Sequence, residues 1–225
     1  MAVDVAFTPG AAAPAAVGVV VDVLRATSTI AQALASGYER VLCAAEIDEA
    51  RALRASLPDS LLGGERKAVR VEGFDVGASP REFLEARART LILSTTNGTR
   101  AILETAERCE RVVLGSLLNL SAVAAAVGGD DSVVVCAGFQ GGFALDDVYC
   151  AGRIVELLGG ERTHAATAAG LLARAFPNAL DGLNARTYGP PGLEEDIAYC
   201  AQEDRLDVVP ELTGMEGAAA EIMLR

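Results

Sequence analysis

Short apolar runs, each closed by a polar turn and followed by a longer helical stretch, recur along this chain and constrain its fold more than any other feature. Val17–Val21 is continuous and β-branched, the pattern of a strand buried on both faces. Ala26–Ser36 follows as a helix stopped by Gly37, and Val41–Ala44 opens another strand. The alternation continues with helix Ile47–Ala55, a short strand Leu61–Gly63, strand Leu91–Leu93 and helix Thr99–Glu107. Strand Val112–Leu114, helix Ser121–Ala126, strand Ser132–Cys136 and helix Asp146–Leu158 complete it. Ser79–Arg87 has Ser at the cap, Pro at the first helical position and Glu82 three residues on from Ser79, a capping box that predicts a further helix. Gly10–Val17 reads as an Ala/Pro linker into the first strand. The chain beyond Leu158 reads as helix-rich, broken at Pro177 and at Gly189–Gly192. Strands alternating with helices specify an α/β fold, a layered α/β/α arrangement with a mainly parallel sheet. A single domain over residues 1–225 accommodates the pattern, with room for two subdomains meeting near residues 115–135.

An internal echo runs through the alternation. Val19–Cys43 reads VVVD, a short turn, a helix, then ERVLC; Leu91–Gly115 reads LILS, a short turn, a helix, then ERVVLG. The echo is either two similar halves or the general likeness of any two βαβ units. In both copies a Thr-rich turn follows a strand and precedes a helix. Ligands of open parallel sheets bind at the carboxyl ends of the strands.

Composition narrows the function. Of 225 residues, 51% are hydrophobic and 22% charged, which suits a large buried core rather than disorder. Aromatics are 4% and Trp is absent, so that core is built from Ala, Val, Leu and Ile. The net charge of −12 and the lack of a basic run argue against a nucleic-acid partner, which would need cations to displace phosphate counterions. Lys67 is the single Lys; Arg carries the remaining positive charge, a preference read as coding bias before chemistry. The five Cys (Cys43, Cys109, Cys136, Cys150 and Cys200) lie far apart without a CxxC pair, which predicts reduced, buried thiols rather than a disulfide framework or zinc site. A reducing cytoplasm fits them. No signal peptide is visible, and no apolar run approaches the ~20 residues of a membrane helix. A homodimer is left open.

Four clusters could carry chemistry. In VDVLRATST, Asp22 ends a buried strand, where an acid is costly unless it meets a cation or an Arg. Arg25, Thr27 and Ser28 stand at the following helix start, where free N–H groups and the helix dipole favour an anion. The plainer alternative is an N-cap beside an Asp22–Arg25 pair. In STTNGTR, the residues Thr95, Thr96, Asn97, Gly98, Thr99 and Arg100 directly follow a strand and form a plausible phosphate cradle. The spacing is not that of a P-loop, and a well-bonded capping turn is the alternative. Glu65 and Arg66 follow an apolar triplet, and Asp75 lies in a Gly-flanked loop. Hard oxygen ligands of this kind suit Mg²⁺ better than zinc, although Asp75 also suits turn capping. Asp146 and Asp147 open a helix after the Gly-rich loop 138–142, as metal ligands or as acids complementing the helix dipole. His164, the single His, has no acidic neighbour in sequence and reads as a surface or helix-end residue; no GxSxG elbow is present.

Taken in order, the blocks DVLRATST, GGER, GFDVGASPREF, STTNGTRA, the loop from CAG to LDDVYCAG, and EEDIAYCA resemble the 2-phosphosulfolactate phosphatase family over roughly Val19 to Pro210. That resemblance implies an Mg²⁺-dependent phosphomonoesterase that removes phosphate from 2-phospho-3-sulfolactate, a step of coenzyme M biosynthesis. The chain departs from the family pattern at Ala78, where Asn is usual, and at Asp146, where Glu is usual. Asn184–Pro191 also departs, in place of a block containing His and Gly. With the residues themselves, the resemblance implies Asp22, Asp147 and Arg25 as catalytic groups, Asp22 being the first choice for a nucleophile. Asp22, Glu65, Asp75 and Asp147 would hold the metal. Thr27, Ser28, Arg66, Thr95, Thr96, Asn97, Gly98, Thr99 and Arg100 would bind the small anionic phosphorylated substrate. The alternatives are a non-catalytic binder of a phosphorylated metabolite, which would avoid acids near the phosphate, and a sugar or triose phosphate isomerase-like enzyme, which would need a base near a C–H.

Overall fold

The β-branched runs are where the sheet forms. The structure, a computed structural model, describes residues 1–187 and 191–225. Among these, eleven strands make one sheet. They are β1 (Ala2–Ala6), β2 (Ala15–Val21), β3 (Arg40–Cys43), β4 (Ser60–Arg66), β5 (Val69–Arg70), β6 (Thr90–Ser94), β7 (Cys109–Gly115), β8 (Ser132–Cys136), β9 (Glu161–Arg162), β10 (Pro210–Glu216) and β11 (Ala219–Leu224). Their order across the sheet is β5-β4-β6-β3-β11-β10-β7-β2-β8-β1-β9. The helices are α1 (Ala26–Ala35), α2 (Ile47–Ser56), α3 (Gly98–Ala106), α4 (Leu120–Val127), α5 (Leu145–Leu157), α6 (His164–Arg174), α7 (Ala179–Asn184) and α8 (Glu194–Cys200).

Strand β2 shows why its sequence has no polar alternation. It pairs in parallel with β7 on one side and β8 on the other. Val17, Val19 and Val21 pack into a core with Leu120, Ile154 and Ala169 of α4, α5 and α6. Val20 faces the opposite core, with Ile30 of α1 and Ile102 of α3. Both faces are dry, so both parities are apolar. The sheet has two parallel halves. In one, β4 and β3 flank β6; in the other, β7, β2, β8 and β1 run together. The antiparallel hairpin β10–β11 joins them, β11 pairing with β3 and β10 meeting β7 at Glu211–Val113. Residues 115–135 lead from β7 through α4 into β8, within one half.

The expected alternation needs three corrections. The first strand is β1, ahead of the Ala/Pro segment, which forms a single 3-10 turn at Pro9–Ala11 before β2. AVDVA is short and carries Asp4, so its strand pattern is weak until β8 and β9 pair with it. The chain end is the β10–β11 hairpin rather than helix; its Ala, Glu, Met and Leu favour helix intrinsically, and pairing overrides that preference. The capping box at Ser79 and Glu82 does form, yet it closes only the 3-10 turn Pro80–Phe83. The Glu82 carboxylate also accepts from the Gly77 N–H at 3.1 Å, which ties the turn back to its approach loop. The break read at Gly189–Gly192 and the irregular stretch Asn184–Pro191 lie partly outside the described residues.

Candidate active site

Strand order places the polar turns of both halves at one end of the sheet, and four of those loops enclose a cavity of about 320 Å³. Its wall includes Asp22, Leu24, Arg25 and Ala26 after β2, Glu65, Lys67 and Ala68 at the end of β4, and Thr95, Thr96 and Asn97 after β6. Phe139 and Gln140 after β8 and Asp146 at the start of α5 close another side; Ala78, Arg186 and Leu193 complete it. This is the carboxyl-end location at which parallel sheets bind ligands.

Gly98 shows how closely the two Thr-rich turns meet. A Cβ there would lie 2.4 Å from the Ala26 Cβ and 2.8 Å from Asp22 Oδ2. The N-terminus of α3 therefore abuts the Asp22 carboxylate and the N-terminus of α1. Asp22 is buried, and its Oδ1 accepts from the Ala26 N–H at 3.2 Å. Burial, with Glu65 and Asp146 nearby, pushes its pKa from 3.8 up to about 7. Asp22 and Asp146 thus bring two carboxyl groups to the same cavity.

Glu65 lines the cavity with its carboxylate engaged. One oxygen accepts from the Thr96 N–H and hydroxyl, both at 2.9 Å, and the other from the Ala68 N–H at 2.6 Å. It is a clasp between the β4 end and the β6 turn. Asp147 is a second clasp. Its oxygens accept from the N–H groups of Val23 and Gly138, each at 2.9 Å, tying the β2 and β8 loops together. Asp147 is buried and absent from the cavity wall, and burial beside Asp146 and Asp22 raises its pKa well above the usual carboxylate range. Arg25 reaches the cavity, held by Asp196 Oδ2 at 2.5 Å and the Ala68 carbonyl at 3.3 Å rather than by Asp22. Asp196 in turn accepts from the Ser79 hydroxyl at 2.5 Å.

Several of the expected anion binders turn inward. The Thr27 hydroxyl donates to the Asp22 carbonyl at 2.9 Å and Ser28 to the Val23 carbonyl at 2.8 Å, the local bonding of a hydroxyl in the first turn of a helix. Thr99 is buried; its N–H donates to the Thr95 hydroxyl at 3.2 Å, so Thr95 caps α3 and also faces the cavity. Arg66 points away from the cavity wall and donates to the carbonyls of Glu65, Ala45 and Ser94 and to the Ser94 hydroxyl. Arg100 is exposed, pairs with Glu46 at 3.1 Å, and borders an adjoining cleft with Thr96, Asn97 and Gln140. Asp75 lies outside the cavity, accepting from the Leu62 N–H at 2.9 Å, the turn role open to it in the sequence. His164 is an exposed helix-start residue, and all five cysteines are free and buried.

The structure adds groups to the expected set. Asp146 was visible only as one of two acids opening a helix, and Lys67 only as the single Lys. Gln140 and Arg186 line the cavity and Asp196 holds Arg25, roles that the sequence blocks containing them did not assign.

Among the described residues, no group of three or more His, Cys, Asp or Glu is arranged to hold a metal ion. The donor set nevertheless fits Mg²⁺, which is bound through one or two carboxylates, waters and substrate phosphate oxygens rather than by an all-protein cage. Asp22 and Asp146 are two such hard oxygen donors on one cavity wall.

The chain is similar throughout to known proteins. A family model described as 2-phosphosulpholactate phosphatase matches residues 5–215. A protein of Caldanaerobacter subterraneus subsp. tengcongensis named probable 2-phosphosulfolactate phosphatase is 39% identical over 209 residues, covering 86% of each chain. Proteins of the same name from Symbiobacterium thermophilum and Synechococcus sp. (strain JA-3-3Ab) are 40% and 41% identical, over 88% and 90% of this chain and 91% and 90% of their own.

Proposed function

The chain belongs to the 2-phosphosulfolactate phosphatase family, and from that premise we propose that the strand-end cavity hydrolyses the phosphate ester of 2-phosphosulfolactate to sulfolactate and inorganic phosphate with the help of Mg²⁺. One observation carries the site assignment: Asp22 and Asp146 share a small cavity with Arg25, Lys67 and Arg186. A pure anion binder would exclude those two acids. A phosphatase uses them, because a metal ion held there neutralises charge on the phosphoryl oxygens.

Asp22 and Asp146 would hold the Mg²⁺, and its chemistry when bound is to draw negative charge from the transferring phosphoryl group. Arg25 is fixed by Asp196 and the Ala68 carbonyl, so its charge is oriented before substrate arrives. Thr95 and Asn97 bring polar groups from the other half of the sheet to the same phosphate. Glu65 and Asp147 hold the four loops in register, their carboxylate oxygens taken up by these clasps. Five buried free thiols support a reducing, cytoplasmic setting.

Phosphate release from 2-phosphosulfolactate, measured with Mg²⁺ and with excess EDTA, tests the reading. Turnover is expected with Mg²⁺ and its loss in chelator, restored by added Mg²⁺. Full activity in EDTA removes the metal from the proposal; no release from this ester under either condition removes the activity.

A further inference from the structure

Three of the four non-glycine residues that have positive φ among those described, Lys67 (54°), Ala68 (62°) and Gln140 (52°), line the candidate cavity. Left-handed backbone is uncommon for residues with a Cβ, and such outliers gather where surrounding structure over-determines them. The turn between β4 and β5 places two in succession. It is held by the Ala68 N–H on Glu65 and by the Arg25 guanidinium on the Ala68 carbonyl. A turn of this kind would be filled most easily by Gly or Asn. Here it carries the single Lys in a chain with 19 cationic residues.

That Lys is also the cavity's uncommitted charge. Arg25 is paired with Asp196, whereas Lys67 has no ion-pair or hydrogen-bond partner among the described residues. Lys67 is exposed at the edge of the cavity that also holds Asp22 and Asp146, so its unpaired ammonium has a free charge to offer an incoming anion. Arg25 stands on the same wall as the two acids, so one cation is already available for the phosphate.

We propose that Lys67 is a specificity-determining residue that binds the acid group the substrate carries beyond its phosphate, a sulfonate or carboxylate, from the strained turn between β4 and β5. The inference rests on the phosphatase reading for the substrate's identity and goes beyond it by assigning its second anion a partner. The ammonium selects esters that carry a further sulfonate or carboxylate over simple phosphomonoesters, and the clasped turn fixes the backbone from which it reaches.

Lys67→Gly removes the ammonium and suits the left-handed backbone, so the variant is expected to fold at least as stably as the parent. Titration calorimetry with sulfolactate and, separately, with inorganic phosphate reads the assignment without requiring turnover. Sulfolactate affinity is expected to fall by ~10–100-fold, the scale of one charge-assisted hydrogen bond, with a much smaller change for phosphate. Lactate, which lacks the sulfonate, identifies the acid group: a parallel loss assigns Lys67 to the carboxylate, an unmoved affinity to the sulfonate. Equal losses for sulfolactate and phosphate, no loss for either, or a parent protein that binds no sulfolactate would overturn the proposal. Sulfolactate binding that needs Lys67 in a protein that releases no phosphate from 2-phosphosulfolactate would leave Lys67 in place and remove the phosphatase reading instead.

Discussion

Asp22 and Asp147 are both buried acids, and their surroundings give them opposite work. Asp22 has one oxygen on a single backbone N–H and the other against Gly98, facing the cavity. Asp22→Asn keeps the size and the Ala26 bond while removing the charge. Activity is expected to fall by at least ~10²-fold, the low end for loss of a positioned charged group. Stability should move the other way. The folded carboxyl titrates at about 7 against 3.8 when unperturbed. The folded state therefore holds a proton that the unfolded chain has released, and stability falls as pH rises from 3.8 towards 7. In EDTA at pH 8 the Asn variant should melt no lower than the parent, and by pH 5 its relative advantage should shrink. An equally active variant, or one that melts well below the parent at pH 8, contradicts this account of Asp22. Asp147, by contrast, is filled by two backbone donors. Asp147→Asn presents an NH₂ to one of those N–H groups. A loss of about 1–3 kcal/mol in urea unfolding is expected for the donor left unpaired. Unchanged stability would show that the clasp is not structural.

The decisive contact between elements is the approach of α3 to α1 at Gly98, where a Cβ has no room. Gly98→Ala cannot be absorbed by a flexible side chain, because the atoms it meets are the Ala26 Cβ and the Asp22 carboxylate. The helix starts must separate or Asp22 must turn. Loss of most phosphatase activity with helical circular dichroism retained is expected, and full activity would show that the two turns need not touch. The sequence made the helix starts legible, because Thr-rich turns after apolar strands are local signals. It also made the buried parallel strands legible, since two dry faces leave continuous valines in β2 and β8. The hairpin β10–β11 was not legible: Glu216, Ala219, Ala220 and Met223 are good helix formers, and only pairing with β3 and β7 makes them strands. At the site, Asp22 was readable from the cost of an acid ending a buried strand. The inward turn of Thr27 and Ser28 was not, because a hydroxyl at a helix start can meet an anion or a carbonyl with equal chemical sense. Lys67 reaches the cavity, and Asp196 reaches Arg25, through long-range closure, on which local pattern is silent.

Over the whole molecule, the cavity takes its walls from both parallel halves, so its geometry depends on the seam between them. Asp22 and Asp146 come from the half built around β2; Glu65, Lys67 and Thr95–Asn97 come from the half built around β6. The hairpin β10–β11 closes the seam in the sheet, and its ladder to β7 is short. Glu211 reinforces that join. It is 2% exposed, and one carboxylate oxygen accepts from Arg111 Nε at 3.0 Å and Nη2 at 2.9 Å, while the other meets Arg225 at 3.1 Å. Removing the carboxylate leaves the half-buried Arg111 with only the Ala126 carbonyl, at 2.8 Å. Glu211→Ala is therefore expected to lower the urea unfolding free energy by about 1–3 kcal/mol, the cost of donors left without their acceptor where water can still reach part of the guanidinium. Glu211 lies outside the cavity wall, so the loss should appear as thermal sensitivity before it appears in turnover. Phosphate release measured well below the melting transition should stay near the parental rate and then fall at a lower temperature than in the parent. A variant that unfolds at the parental urea midpoint would show that the hairpin's apolar contacts, Ala220 and Ile222 in the shared core, hold the halves together without the buried ion pair.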